Sequence, residues 1–248
     1  MKIFYYYHIS KCGGTFVHHN LRSLAKQLAS SFVSFSSLKG SAIPSEENVE
    51  KISSFLENLP VDIAKNRFKS NKYLFIHHHH RFPGLKAMLP DIKKCASKLK
   101  NNGHKLYLLT TVRDPADWLM SAINYSNQKK ASQLDFENYS SGFYDGQSKY
   151  LLYNTSSWGM TGPLEERDAK DLRVILNAID GLYTVDNIEA LEASFKRWID
   201  EDFSWNKSKI NASRPKKIIS PSSLQRELFS KRSPTDAWLY SKAEGNFK

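Results

Sequence analysis

The first sixteen residues constrain this chain most. Residues 2–7, Lys-Ile-Phe-Tyr-Tyr-Tyr, are an apolar and aromatic run of strand length. Such a run, closed by a turn, reads as a buried strand. It breaks at His8 to Gly14, where two glycines stand side by side, and a helical pattern starts at Thr15, with Phe16, Leu21, Leu24 and Leu28 on one face. A strand that feeds a helix through a glycine turn gathers free backbone N–H groups at the positive end of the helix dipole, which suits an anion. Gly13 and Gly14 let the backbone approach a phosphate closely. Lys11 adds a mobile positive charge and Thr15 a hydroxyl donor. The plainer alternative is a Gly-Gly turn beside a solvated lysine.

Further strand patterns at 73–77, 105–112 and 182–185 alternate with helical ones. The helices are expected from Ser45, over 90–100, from Pro115 to about Asn124, over 146–153, 166–179 and 187–200, and after Pro221. This alternation predicts an α/β fold, a parallel sheet with helices on both faces. Residues 29–42, rich in serine, read as a surface loop. The polar stretch 126–145, with tyrosine and phenylalanine interspersed, reads as a substrate-facing loop. With 248 residues, no internal repeat and no clear linker, one domain over 1–248 is expected.

Apolar runs such as Leu106 to Val112 are strand-length, short of the ~20 residues that span a bilayer. Met1 leads straight into the first strand without a signal-peptide pattern, so a cytoplasmic location and no membrane span are expected. The two cysteines, Cys12 and Cys95, give no disulfide framework and are expected to stay reduced. The formal net charge is +11, which calls for an anionic partner. The lysines are spread along the chain, and homeodomain, zinc-finger and RRM signatures are absent. A small anionic cofactor or an anionic glycan therefore fits better than nucleic acid.

The strongest strand, 105–112, ends in Arg113-Asp114-Pro115, and Ser121 follows eight residues after Arg113. Ligands of open α/β sheets bind at the carboxyl ends of strands, where Arg113 falls. Its planar fork suits bidentate phosphate binding, and Ser121, about two helical turns on, brings a hydroxyl to the same group. The alternative is that Arg113 pairs with Asp114 or Asp117 and only braces the loop. Competing phosphate motifs fit poorly. A Walker loop needs its lysine after the glycines, and the dinucleotide G-x-G-x-x-G is missing. A cysteine phosphatase would carry arginine where His18 stands, so Cys12 reads as a small loop residue.

Taken together, these elements resemble the PAPS-dependent sulfotransferases, and more closely the glycan-type family of the heparan sulfate 2-O-sulfotransferases. PAPS is 3′-phosphoadenosine-5′-phosphosulfate. His8-Ile9-Ser10-Lys11-Cys12-Gly13-Gly14-Thr15 is similar to the family's 5′-phosphosulfate loop. Arg113-Asp114-Pro115 with Ser121 is similar to its 3′-phosphate signature. Weaker likenesses follow in order: Gln147 to Leu151, Gly181 to Val185 with Ile188 to Leu191, Ile210 to Pro215, and Asp236 to Tyr240. The resemblance implies a P-loop-NTPase-like sulfotransferase fold and transfer of a sulfuryl group from PAPS to a hydroxyl acceptor, leaving PAP. It implies that Lys11, Cys12, Gly13, Gly14, Thr15, Phe16, Arg113, Ser121, Ser213 and Arg214 hold the cofactor, and that no metal takes part. Cys12, where threonine is commoner, and Val185, where glutamate is frequent, depart from the family pattern.

Residues 77–80 are four consecutive histidines. Along a strand, alternate side chains point to opposite faces, so these cannot converge on one metal ion. Histidine titrates in the range a general base needs. The family carries its base on this strand end, which implies His80 in that role, with His78 second. The alternative is that they are packed or surface histidines. Two other functions stay open at this point: a nucleotide-dependent kinase-like phosphotransferase, and a non-catalytic module that binds PAP or an anionic glycan. The acceptor, a glycan or another small alcohol, is not fixed by these residues.

Overall fold

The structure is a computed structural model that describes residues 1–35, 46–70, 72–79, 84–126, 144–153, 164–206 and 220–245. Five strands, β1 (Lys2–His8), β2 (Ser31–Phe35), β3 (Tyr73–His79), β4 (Lys105–Val112) and β5 (Gly181–Thr184), form one sheet in the order β2-β3-β1-β4-β5. Every pairing is parallel, and Lys2 stands level with Tyr73 on one side and Lys105 on the other. The predicted α/β class with a parallel sheet is what the chain adopts.

Nine helices accompany the sheet among the described residues: α1 (Gly14–Gln27), α2 (Glu46–Ala64), α3 (Leu85–Asn101), α4 (Pro115–Ser126), α5 (Gly146–Tyr153), α6 (Glu166–Leu176), α7 (Ile188–Trp198), α8 (Ser223–Arg232) and α9 (Pro234–Glu244). Strand alternation sorts the core into two layers. Phe4 and Tyr6, with Phe75, Tyr107 and Leu109, pack against α1 and α7. Ile3, Tyr5 and Tyr7, with Leu74, Ile76 and Leu108, pack against α2 to α6. Phe4 stacks between Phe75 and Tyr107 at 5.4 and 5.3 Å, so the aromatic run of β1 serves as cross-strand packing in the middle of the sheet.

Two expectations are corrected. Residues 31–35, read as part of a serine-rich loop, are the edge strand β2. An edge strand with one partner needs few apolar residues, and Phe32, Val33 and Phe35 suffice between serines. Helix α3 starts at Leu85 rather than at Pro90. Leu85, Met88, Leu89 and Ile92 bury one stripe, and the proline is carried inside the helix.

The order of strands also fixes where a ligand can sit. The chain leaves β1 toward the β2 edge and leaves β4 toward the β5 edge. These two strands are neighbours, so the crevice at their carboxyl ends is the switch point of the sheet.

Candidate functional site

Both predicted phosphate elements converge on that crevice. After β1 the loop turns sharply, with φ of +64° at Lys11 and +72° at Gly13. Gly13 is the helix N-cap and gives α1 no side-chain cap. The first-turn N–H groups of Gly14, Thr15 and Phe16 have no intrahelical acceptor by construction. A Cβ on Gly14 would stand inside the ring of His8, so only glycine fits there. Thr15 is exposed at the helix mouth, whereas the Phe16 ring is buried against Trp205, leaving its backbone as the usable group.

The loop is held from behind. The Trp118 indole N–H donates to the Ser10 carbonyl at 2.8 Å, and the Thr111 hydroxyl donates to the Cys12 carbonyl at 2.5 Å. Since Thr111 spends its proton there, Tyr6 is the donor in the 2.5 Å bond between their hydroxyls. Burial pushes the Cys12 thiol well above its usual range. It stays protonated and donates to Gln147 Oε1 at 3.1 Å, as a loop residue rather than a nucleophile.

Gln147 ties the two elements together. Its Oε1 also accepts the Arg113 N–H at 2.8 Å, and its Nε2 donates to the Arg113 carbonyl at 2.8 Å. One fully buried amide thus joins the Lys11 loop to the start of the Arg113 turn. The alternative brace between Arg113 and the neighbouring carboxylates is not what forms. Asp114 caps the backbone N–H groups of Ala116 and Asp117, and Arg226 of α8 takes both Asp114, at 3.0 Å, and Asp117, at 2.6 and 2.7 Å. Among the described residues Arg113 is half-buried and has no ion pair, since Arg226 holds both neighbouring carboxylates. Ser121 is half-buried on the helix that follows.

Lys11 holds its proton less firmly than an ordinary lysine, with its pKa lowered to about 8, first by burial and then by the Arg113 charge. Its Nζ lies 3.9 Å from the centre of the Tyr125 ring. The site therefore presents two nearby cations, a run of helix N–H groups and a hydroxyl, an arrangement that suits a ligand with several negative charges.

Behind Gln147, two helices cap each other. The Asp236 carboxylate accepts the N–H groups of Gln147 and Ser148 and the Ser148 hydroxyl, at 2.7 to 2.9 Å. Asp145 in turn accepts the N–H groups of Thr235 and Asp236 at 2.9 and 3.0 Å. Each acid sits at the other helix's N-terminus, which anchors α5 on α9 and fixes Gln147. In the sequence Gln147 and Asp236 stand out only through the family resemblance, and no local pattern points to Thr111, Trp118, Tyr125, Asp145 or Arg226.

The histidines divide as strand geometry demands. His77 and His79 project on the α1 side and His78 on the other. His78 is fully buried, with Nδ1 2.7 Å from the Tyr5 hydroxyl. This placement sets the His78 ring in the core beside Tyr5 and Tyr7. His77 is buried beside His18 and Tyr6, and its pKa is lowered to about 2, chiefly by burial. His79, half-buried at the strand end, meets His8 edge-on at 4.9 Å. His80, Ser213, Arg214 and most of the 126–145 stretch lie outside the described residues.

Among the described residues, no helix is long and apolar enough to cross a membrane. The sequence matches no family model and no curated protein. Among solved structures it is similar to a GTPase from Pyrococcus abyssi in its apo form. The two share 10% identity at a TM-score of 0.32, over 79% of this chain and 96% of that one, a likeness too loose to bear on function.

Proposed function

We propose that this protein is a sulfotransferase that moves a sulfuryl group from PAPS to a hydroxyl acceptor. The observation that carries the reading is the pair formed by Lys11 and Arg113 at the switch point. The two turns are joined by Gln147, and Arg113 is spared by Arg226. The cradle fits the cofactor's two phosphate ends: helix N–H groups and Lys11 for the 5′-phosphosulfate, Arg113 and Ser121 for the 3′-phosphate. A Walker-type lysine, which the kinase-like alternative needs, is missing from the glycine turn.

Bound PAPS supplies the sulfuryl group and leaves as PAP when the acceptor oxygen forms its bond to sulfur. Lys11 stabilises charge that grows on the departing phosphate oxygen, and the N–H groups of Gly14 to Phe16 hold the same phosphate. Arg113 and Ser121 fix the nucleotide's other end, and His80 takes the acceptor proton. Most of the rate effect comes from positioning and charge stabilisation. The reading is tested by following isotope from labelled PAPS into a mixture of acceptor alcohols and glycans. Labelled product supports it, and PAP binding without any transfer would favour a binding module instead.

Selectivity for the 3′-phosphate gives a second test. PAP at a hundredfold excess over its Kd should stabilise the fold by about 2.7 kcal/mol, a rise of roughly 5–10 °C in Tm for a chain of this size. The same concentration of 5′-AMP should give much less, and equal shifts would remove Arg113 and Ser121 from the pocket.

Affinity for PAP should also depend on pH. A bound anion favours protonated Lys11, whose pKa in the free protein is about 8. Binding is then strongest below pH 8 and weakens above it, by up to about tenfold per pH unit, the limit for uptake of one proton. Calorimetry between pH 7 and 9.5 checks this, and a flat profile would show that Lys11 does not face the phosphates.

A further inference from the structure

Lys11 carries a charge that its surroundings disfavour. Burial and the Arg113 charge both drive its proton off, and among the described residues no carboxylate pairs with it. Cys12, the remaining neighbour with any electrostatic pull on it, keeps its own proton and so contributes no negative charge. What does meet the ammonium is the face of the Tyr125 ring, 3.9 Å from Nζ to the ring centre. An ammonium over a tyrosine face is attracted by the ring quadrupole, the more so where water is excluded.

Tyr125 also stands where sequence reasoning gives no cause to look. It lies on the last turn of α4, four residues after Ser121, with 63% of its surface exposed. An exposed aromatic side chain adds little to the core, and this one sets its ring against the Lys11 ammonium. The backbone of Lys11 is pinned at positive φ by the turn, which leaves its long side chain as the adjustable part.

We propose that Tyr125 is the positioning residue of Lys11, its ring face holding the ammonium charged and aimed into the crevice where the transferring group is bound. The catalytic half of this proposal rests on the sulfuryl-transfer reading. The half that concerns the proton on Lys11 does not.

The experiment compares the full chain with its Tyr125→Leu and Tyr125→Phe variants. The first readout needs no ligand: the rate at which an amine-acylating reagent labels Lys11, followed by mass spectrometry across pH, gives the apparent pKa of that one amine. Leucine should lower it by roughly 0.4–1.5 pH units, the pKa equivalent of the cation–π range, and phenylalanine should restore most of the loss because the ring face returns. An unchanged titration in Tyr125→Leu overturns the proposal, as does a Phe variant that behaves like Leu. The second readout is sulfuryl transfer. Leucine should lower kcat by roughly 2- to 30-fold, the same energy expressed as rate, with a smaller change in the KM for PAPS. A larger effect on KM than on kcat overturns the aiming role. If the unaltered chain transfers no sulfuryl group while Lys11 titrates as expected, the functional reading fails and the Tyr125–Lys11 pairing stands.

Discussion

Replacing His80 with alanine is expected to lower turnover by ~10²–10⁴-fold, the usual cost of removing a general base, with PAP affinity nearly unchanged. Replacing Lys11 with alanine is expected to cripple turnover as well, with a different signature. On the proposed reading Lys11 touches the cofactor, so PAP binding should weaken somewhat. Transfer slows more, because charge on the leaving oxygen grows toward the transition state. Among the histidines the contrast is sharper. His78 is fully buried and bonded to the Tyr5 hydroxyl. His78→Ala should therefore lower stability, by about 1–3 kcal/mol for a buried hydroxyl left without its partner, before it affects chemistry. The deciding data are PAP affinity, turnover and Tm for each variant side by side. Normal turnover in His80→Ala would remove the assigned base. If His79→Ala then abolished turnover with PAP binding intact, the base would be the half-buried residue at the described end of β3.

The sequence revealed the framework of this site better than its support. Strand β1, the Gly13-Gly14 turn and helix α1 were legible because a buried aromatic strand, paired glycines and a 3.6-residue stripe are local signals. The same holds for β4 and Arg113. Strand β2 was not, because an edge strand is stabilised by its partner β3, and its own Ser-Phe-Val-Ser-Phe pattern is too polar to stand out. The partner of Asp114 and Asp117 was not legible for a related reason. Arg113 is adjacent in sequence, but the arginine that reaches them is Arg226, more than a hundred residues away. Neighbours in sequence are visible without a structure, whereas competition between two arginines is settled only by packing. Gln147, Asp145 and Asp236 belong to the same class. Nothing in their local pattern announces that α5 and α9 cap one another, although that exchange anchors Gln147, which joins the Lys11 and Arg113 turns.

Asp236→Ala should be among the most destabilising single changes in the chain. It leaves the N–H groups of Gln147 and Ser148 and the Ser148 hydroxyl without their acceptor in a buried place. Unsatisfied buried donors cost about 1–3 kcal/mol each. Part of that is returned, because burial, and after it the nearby Asp145, raises the pKa of Asp236 to about 6, so the carboxylate is itself held unwillingly. A net loss of about 3 kcal/mol is expected, or roughly 6–12 °C in Tm for a chain of this size. Asp236→Asn keeps one acceptor oxygen and removes the repulsion with Asp145, so its loss should be smaller. The two states also differ in pH dependence. With a folded-state pKa above the ordinary carboxylate value, Asp236 favours folding most at low pH, and that contribution is lost as pH rises through about 6. The stability gap between the unaltered chain and Asp236→Asn should therefore be widest near pH 4 and narrow toward pH 7. Because Gln147 rides on this cap, Asp236→Ala should also weaken PAP binding at temperatures where the protein is still folded. Thermal melts from pH 4 to 7, with PAP titrations at 20 °C below each melting point, measure both effects. A loss of stability with PAP affinity intact would separate the cap from the phosphate turns and leave Gln147 held by Arg113 and Cys12 alone.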